Sequence, residues 1–183
     1  MRNFTKKEEL LFKWLQLAKV EQVLDPACQY NSRDVFQAKL DNIYQATKNP
    51  LMVAVAGEIG NNAFDHNLGN WRDISGVYFK HFMDDRLIVI ADRGRGVKKT
   101  LGNIVPGIKS DKEAVEIAFT KTISGRSPEQ RGNGLKFVAE AVKRNNWELF
   151  FQSGTGLVKI ENGTMSFSES SAVINGCLAV LKY

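Results

Sequence analysis

The stretch EIGNNAFDHN, residues 58–67, carries six polar side chains within an otherwise apolar run. On a helical wheel, Glu58, Asn61, Asn62 and Asp65 fall within an arc of about 100°, while Met52, Ala56, Ile59 and Ala63 occupy another. One side packs a core. The other presents a carboxylate and an amide, Glu58 and Asn62, one helical turn apart. Pro50 suits the first turn of this helix. Read alone, the polar arc is equally the solvated face of an amphipathic helix.

Outward from this helix, the spacing of Leu10, Leu11, Trp14, Leu15 and Leu17 predicts another helix over 6–24. DPACQYNS interrupts it at Pro26, and Ser32 is placed to cap a helix running to about Thr47. After HNLGNWRDIS, residues 66–75, the period changes to that of strands. GVYFKHFM and RLIVIAD, separated by Asp84 and Asp85, read as an antiparallel hairpin. A long glycine-bearing segment follows from Arg93 to Gly134, with a helix at 111–120 inside it and another at 134–145. WELFFQSG, GLVKIEN and GCLAVLKY read as three closing strands joined by glycine turns. Helices that precede and interrupt a mostly antiparallel sheet give an α+β, two-layer domain.

The chain has 183 residues, 43% hydrophobic and 25% charged, the balance of a globular protein with one core. No apolar stretch approaches the roughly 20 residues of a membrane span. The amino terminus lacks a signal peptide's uninterrupted apolar centre, so a cytoplasmic location is expected. Cys28 and Cys177 lie far apart and read as reduced thiols. His66 and His81 are the only histidines, and no zinc site is expected. The net charge of +5 favours anionic partners without choosing among them. Arg93, Arg95, Lys98 and Lys99 bunch together, as do Lys121, Arg126, Arg131 and Lys136. No aromatics interleave with them, and a solvated basic face explains both groups.

Two further motifs carry chemistry. In ADRGRGV, residues 91–97, an aspartate ends an apolar strand and Gly94 and Gly96 follow at alternate positions. Glycines there permit backbone conformations and close approaches that a Cβ blocks, and Asp92 can accept a hydrogen bond from a flat donor such as an exocyclic amine. A turn that needs glycine explains the same residues. In RGNGLKFVAEAV, residues 131–142, two glycines precede an amphipathic helix whose first amides and macrodipole form an anion site. It lacks the Gly-Lys-Ser/Thr ending of a phosphate-binding loop and does not follow a strand as a dinucleotide fingerprint does.

In order, a Glu-x-x-x-Asn helix, a strand ending in Asp-x-Gly-x-Gly, a long segment and a Gly-x-Gly-Leu helix start resemble the Bergerat-fold ATPases. These form the GHKL superfamily of gyrase, Hsp90, histidine kinases and MutL. The resemblance covers about residues 34–183, leaving 1–33 as an N-terminal helical extension. It implies a two-layer α/β sandwich with a mostly antiparallel, mixed sheet, helices on one face, and ATP under a lid at 98–131. By that resemblance Asn62 matches the magnesium ligand, and Glu58 the carboxylate that orients or deprotonates the attacking group. Asp92 matches the acceptor of the adenine amine, with Gly94, Gly96 and Val97 shaping the base pocket. Gly132, Gly134 and Leu135 match the phosphate-facing hinge, and Asp65 and His66 support the site from its edge.

Within the superfamily, Glu-x-x-x-Asn-Ala-x-x-His is similar to the small anti-sigma-factor serine kinases. Their lid carries a Thr-Thr-Lys-type run; here Thr120, Lys121 and Thr122 stand in altered order. Lys121, Arg126 or Arg131 is then the cation for the γ-phosphate. Neither a second domain with a transducer lysine nor a phosphoacceptor-histidine hairpin is expected. The implied activity is that of a magnesium-dependent ATPase or protein kinase with a regulatory protein partner, and such kinases often act as homodimers. A nucleotide-gated switch without turnover remains open as a different class. A nucleic-acid-binding role rests on charge alone and is not expected.

Overall fold

The computed structural model describes residues 6–122 and 134–183. Its centre is a hairpin of two apolar strands, β2 (Val77–Phe82) and β3 (Leu87–Asp92). All of β3 is buried, so both faces of the sheet are covered. With β1 (Gln29–Tyr30), β4 (Glu148–Glu161) and β5 (Thr164–Lys182) it forms a five-stranded sheet in the order β1-β2-β3-β5-β4. Every pairing in it is antiparallel. This is the α+β arrangement read from the sequence, but with no parallel pair among the described residues and, as α1 shows below, with helices on both faces of the sheet where one face was expected.

One face of the sheet packs against α2 (Arg33–Thr47), α3 (Pro50–Asn67), α4 (Val97–Leu101), α5 (Asp111–Thr120) and α6 (Gly134–Arg144). Ile88 and Ile90 of β3 point into this layer, while Val89 and Ala91 point to the other side. Local chemistry starts several of these helices. Asn49 accepts from the Met52 amide at 3.0 Å ahead of Pro50, and Ser110 accepts from the Glu113 amide at 3.0 Å. The helix α3 lies close on α2 because residues 57 and 60 are glycines. A Cβ at Gly60 would overlap the Phe36 ring.

The opposite face is covered by α1 (Lys6–Gln16), whose Leu11, Trp14 and Leu15 are buried against β3 and β5. Helices therefore lie on both sides of the sheet. This helix ends at Gln16 instead of running to residue 24. Its last carbonyls are taken by distant donors: Arg93 Nη1 reaches Trp14 O at 2.7 Å, and Asn175 Nδ2 reaches Leu15 O at 3.1 Å.

Two other expectations change. WELFFQSG and GLVKIEN are one continuous strand, because Gly154 makes a bulge rather than a turn. It has φ +59, and its backbone lies on the Asp111 carboxylate. The lid expected at 98–131 contains α4 and α5, whose Val115 and Phe119 are core residues. Phe119 meets Phe151 edge-on at 5.1 Å. The rest of that expected lid, from residue 123, lies outside the described residues.

Candidate functional site

Three residues stand in one row across three strands: Asp92 of β3 pairs with Cys177 of β5, which pairs with Ser153 of β4. The row lies on the face that carries α2–α6. Asp92 is 7% exposed. Its Oδ1 accepts from the Gly94 amide at 2.8 Å and from Asn67 Nδ2 at 3.4 Å. Burial pushes the Asp92 carboxyl up to about 6, against the opposing pull of the Gly94 N–H and the Cys177 thiol. Burial likewise raises the Cys177 thiol well above its ordinary value. It is a neutral donor at the site.

The turn after Asp92 is shaped by contacts that side chains would prevent. Asn67, at the end of α3, lies flat against Gly94, where a Cβ would overlap its carboxamide. Asn67 Oδ1 accepts from the Arg95 amide at 2.8 Å, so one side chain holds both Asp92 and the chain that leaves it. Gly96 has φ +76, a region that favours glycine. Ser153 Oγ accepts from the Val97 amide at 2.9 Å and donates to Gly176 O at 3.1 Å, fixing the start of α4 to the sheet.

Above this row lies a mainly apolar recess between α3, α4, α5 and α6. Of the residues singled out in the sequence, Asn62, His66, Asp92, Gly96, Val97 and Leu135 line it together. Gly94 does not line it and acts by admitting Asn67. Glu58 is exposed and lies against the first residue of α6, since a Cβ at Gly134 would overlap its carboxylate. Asp65 is turned to the surface in an ion pair with Arg33. Lys121 is exposed at the end of α5. Arg126, Arg131 and Gly132 lie outside the described residues.

Two buried polar atoms of α3 stand without partners among the described residues, and one of them, on Asn62, belongs to the recess lining. Among the described residues Asn61 Oδ1 and Asn62 Nδ2 meet no hydrogen-bond partner, a costly state unless a ligand meets them. A half-turn of the Asn62 amide exchanges its nitrogen and oxygen, so an anion or a hard cation can be met there. Among the described residues no group of three His, Cys, Asp or Glu side chains is placed to hold a metal. The donor set suits a cation that takes one protein oxygen and is otherwise held by phosphates and water, the habit of magnesium.

Arg93, grouped by sequence with a solvated basic face, is 1% exposed. Its guanidinium pairs with Asp73 at 2.8 Å, donates to Leu17 O at 2.8 Å, and lies over the Trp14 ring at 5.2 Å. Burial pushes the Asp73 carboxyl up, but hydrogen bonds from Arg93 and from the Val20 and Ile74 amides outweigh it and hold it below its ordinary value. Asp92 and Arg93, adjacent in sequence, thus face opposite layers of the molecule.

Sequence reasoning missed Asn67, Ser153 and Cys177. A signal existed for Asn67: on the wheel it falls beside the apolar arc of Ile59 and Ala63. An amide on the core side of a helix needs a buried partner.

No protein-family model and no curated protein sequence matches the chain. Among solved structures it is similar to the 43K ATPase domain of Thermus thermophilus gyrase B in complex with an aminocoumarin. Identity there is 17%, covering 82% of this chain and 40% of that one, with a TM-score of 0.42. It is also similar to the ATPase region of Saccharomyces cerevisiae topoisomerase II, at 14% identity over 70% of this chain and 36% of that one, TM-score 0.45. The same region bound to ICRF-187 (dexrazoxane) gives 13% identity, 70% and 37% coverage, and a TM-score of 0.43. The chain spans at most 40% of the length of each.

Proposed function

We propose that the chain binds ATP with magnesium in this recess, as a GHKL-type ATPase or protein serine/threonine kinase of the anti-sigma-factor regulatory kind. The observation that carries the reading is Asp92, a buried carboxylate in the wall of an apolar recess. Aliphatic walls suit a purine ring, and one fixed acceptor among them suits its exocyclic amine. Asn62 and the first turn of α6 share the recess and supply an amide and helix-end N–H groups for phosphates. A phosphate there lies near the Glu58 carboxylate, and the two repel without a countercharge. Magnesium, held by Asn62, supplies that charge when bound. A regulatory protein partner, a homodimer and a cytoplasmic location accompany this reading as proposals.

In it, Glu58 positions water or a partner's hydroxyl and accepts its proton, which is typically worth about 10²–10⁴-fold in rate. Ground-state affinity need not depend on such a group. Glu58→Gln should therefore leave Mg–ATP binding within a few-fold of wild type and remove phosphate release or transfer. A second reading, an ATP-gated switch without turnover, is favoured by the contact between Glu58 and Gly134. There the carboxylate has a structural place at a helix start, where negative charge is favourable. Turnover at saturating ATP, with the folded fraction checked by circular dichroism, separates the two. An unchanged rate in Glu58→Gln rejects the catalytic role, and no turnover in wild type with any tested partner favours the switch.

A further inference from the structure

The short helix α4 has two working faces. Val97, Thr100 and Leu101 line the recess. Lys98, Lys99 and Gly102 line a separate open groove of about 550 Å³, together with Val105, Ile108 and Asp111. Arg95 stands at the same groove. None of the ion pairs among the described residues involves Arg95, Lys98 or Lys99.

The nearby acids are already engaged. Asp111 Oδ2 accepts from the Thr155 amide at 3.0 Å and hydroxyl at 3.3 Å, and so holds the bulge in β4. Glu113 Oε2 accepts from the Lys109 amide at 2.8 Å, as part of the start of α5. Lys98 Nζ donates to Lys109 O at 2.9 Å and tethers α4 to the segment before α5. What remains is a net positive surface, Arg95, Lys98 and Lys99 against the one Asp111 carboxylate, with two aliphatic side chains in its lining.

We propose that this groove is a docking site for an acidic segment of a partner protein, one carrying Asp or Glu side chains around an aliphatic residue. The cations match the carboxylates, and Val105 and Ile108 match the aliphatic anchor. Ile104, 47% exposed, extends the apolar surface beside them. Nucleic acid fits less well. No aromatic side chain lines the groove to stack a base, and its aliphatic residues have nothing to meet on a phosphate backbone. This site is independent of the nucleotide reading, because it lies on the other face of α4 and requires no bound nucleotide.

The test is fluorescence anisotropy without nucleotide, using a labelled peptide of repeated Glu-Glu-Leu-Glu units at near-physiological salt. The wild type is expected to bind it, and to bind an all-glutamate peptide more weakly. Lys99→Glu, on an exposed side chain with no partner among the described residues, should weaken binding by about tenfold, as expected for reversal of a complementary interface charge. Lys48→Glu, outside the groove, should change it by less than about twofold, the effect of net charge alone under screening. Circular dichroism confirms that each variant is folded. The proposal is overturned if the peptide does not bind, if Lys48→Glu and Lys99→Glu weaken it equally, or if labelled oligothymidine binds more tightly than the peptide.

Discussion

A carboxylate whose proton is held to about pH 6 works against the fold that contains it. Asp92 has an ordinary value of 3.8 and is raised in the native state. The folded chain therefore binds more protons than the unfolded chain between these values. This contribution is fully present below pH 3.8 and is lost as pH rises through about 6. At pH 7 the ionised, buried group costs about 3 kcal/mol relative to acid conditions. Asp92→Asn keeps an acceptor for the Gly94 amide and removes the titration. Urea unfolding at pH 4.5 and pH 7 should show the wild type losing stability relative to this variant as pH rises. Parallel pH profiles would show that Asp92 titrates as an ordinary surface carboxylate. Such a cost is tolerated most readily where a ligand's donor later meets the charge. Asp92 was legible in the sequence, as a strand-ending aspartate before alternating glycines. Asn67 and Ser153, which hold it and the turn, were not read, because each contact joins segments 25 or more residues apart.

At the scale of elements, α3 was the most legible part of the chain. Pro50, the apolar arc and the Glu58–Asn62 spacing gave its start, its buried side and its polar side. The meaning of Gly57 and Gly60 was hidden, because it depends on α2. A Cβ at Gly60 meets the Phe36 ring, whereas one at Gly57 meets only the Leu40 Cδ1 methyl at 3.3 Å. Glycine to alanine inside a helix gains about 1 kcal/mol, and overpacking against a fixed ring costs about 1–3 kcal/mol. Gly60→Ala should therefore lower the urea midpoint, while Gly57→Ala, whose neighbour can rotate away, should leave it unchanged or raise it. Equal effects from the two would mean that Phe36 does not fix the α2–α3 distance. Likewise β4 reads as two strands, since only the Asp111 carboxylate beneath Gly154 reveals a bulge. The end of α1 was misread because its terminator, Arg93, is a residue 77 positions from Gln16.

For the molecule as a whole, the sheet separates two layers joined at the Asp92–Arg93 pair. One residue faces the recess; the next fixes α1 to the opposite side. Charge counting placed Arg93 on a solvated surface because composition carries no information about faces. Arg93→Ala strands Asp73, whose side chain is 4% exposed, and takes one hydrogen bond from each of the Trp14 and Leu17 carbonyls. Removing one member of a buried ion pair costs about 3–5 kcal/mol, so the variant should unfold at much lower urea and exchange amide hydrogens faster around residues 14–20. A change within about 0.5 kcal/mol, the range of ordinary surface substitutions, would mean that α1 is held by its apolar face alone. The central claim is that an adenine base meets Asp92 in the recess, and base selectivity tests it most directly. The measurement is calorimetric titration of wild type and Asp92→Asn with Mg–ATP and Mg–GTP. GTP presents a carbonyl where ATP presents an amine, so the wild type should prefer ATP. Asp92→Asn, which places an amide nitrogen in the site, should lose about 1–3 kcal/mol of ATP affinity. Equal binding of both nucleotides by the wild type, or undiminished ATP binding by Asp92→Asn, would contradict it.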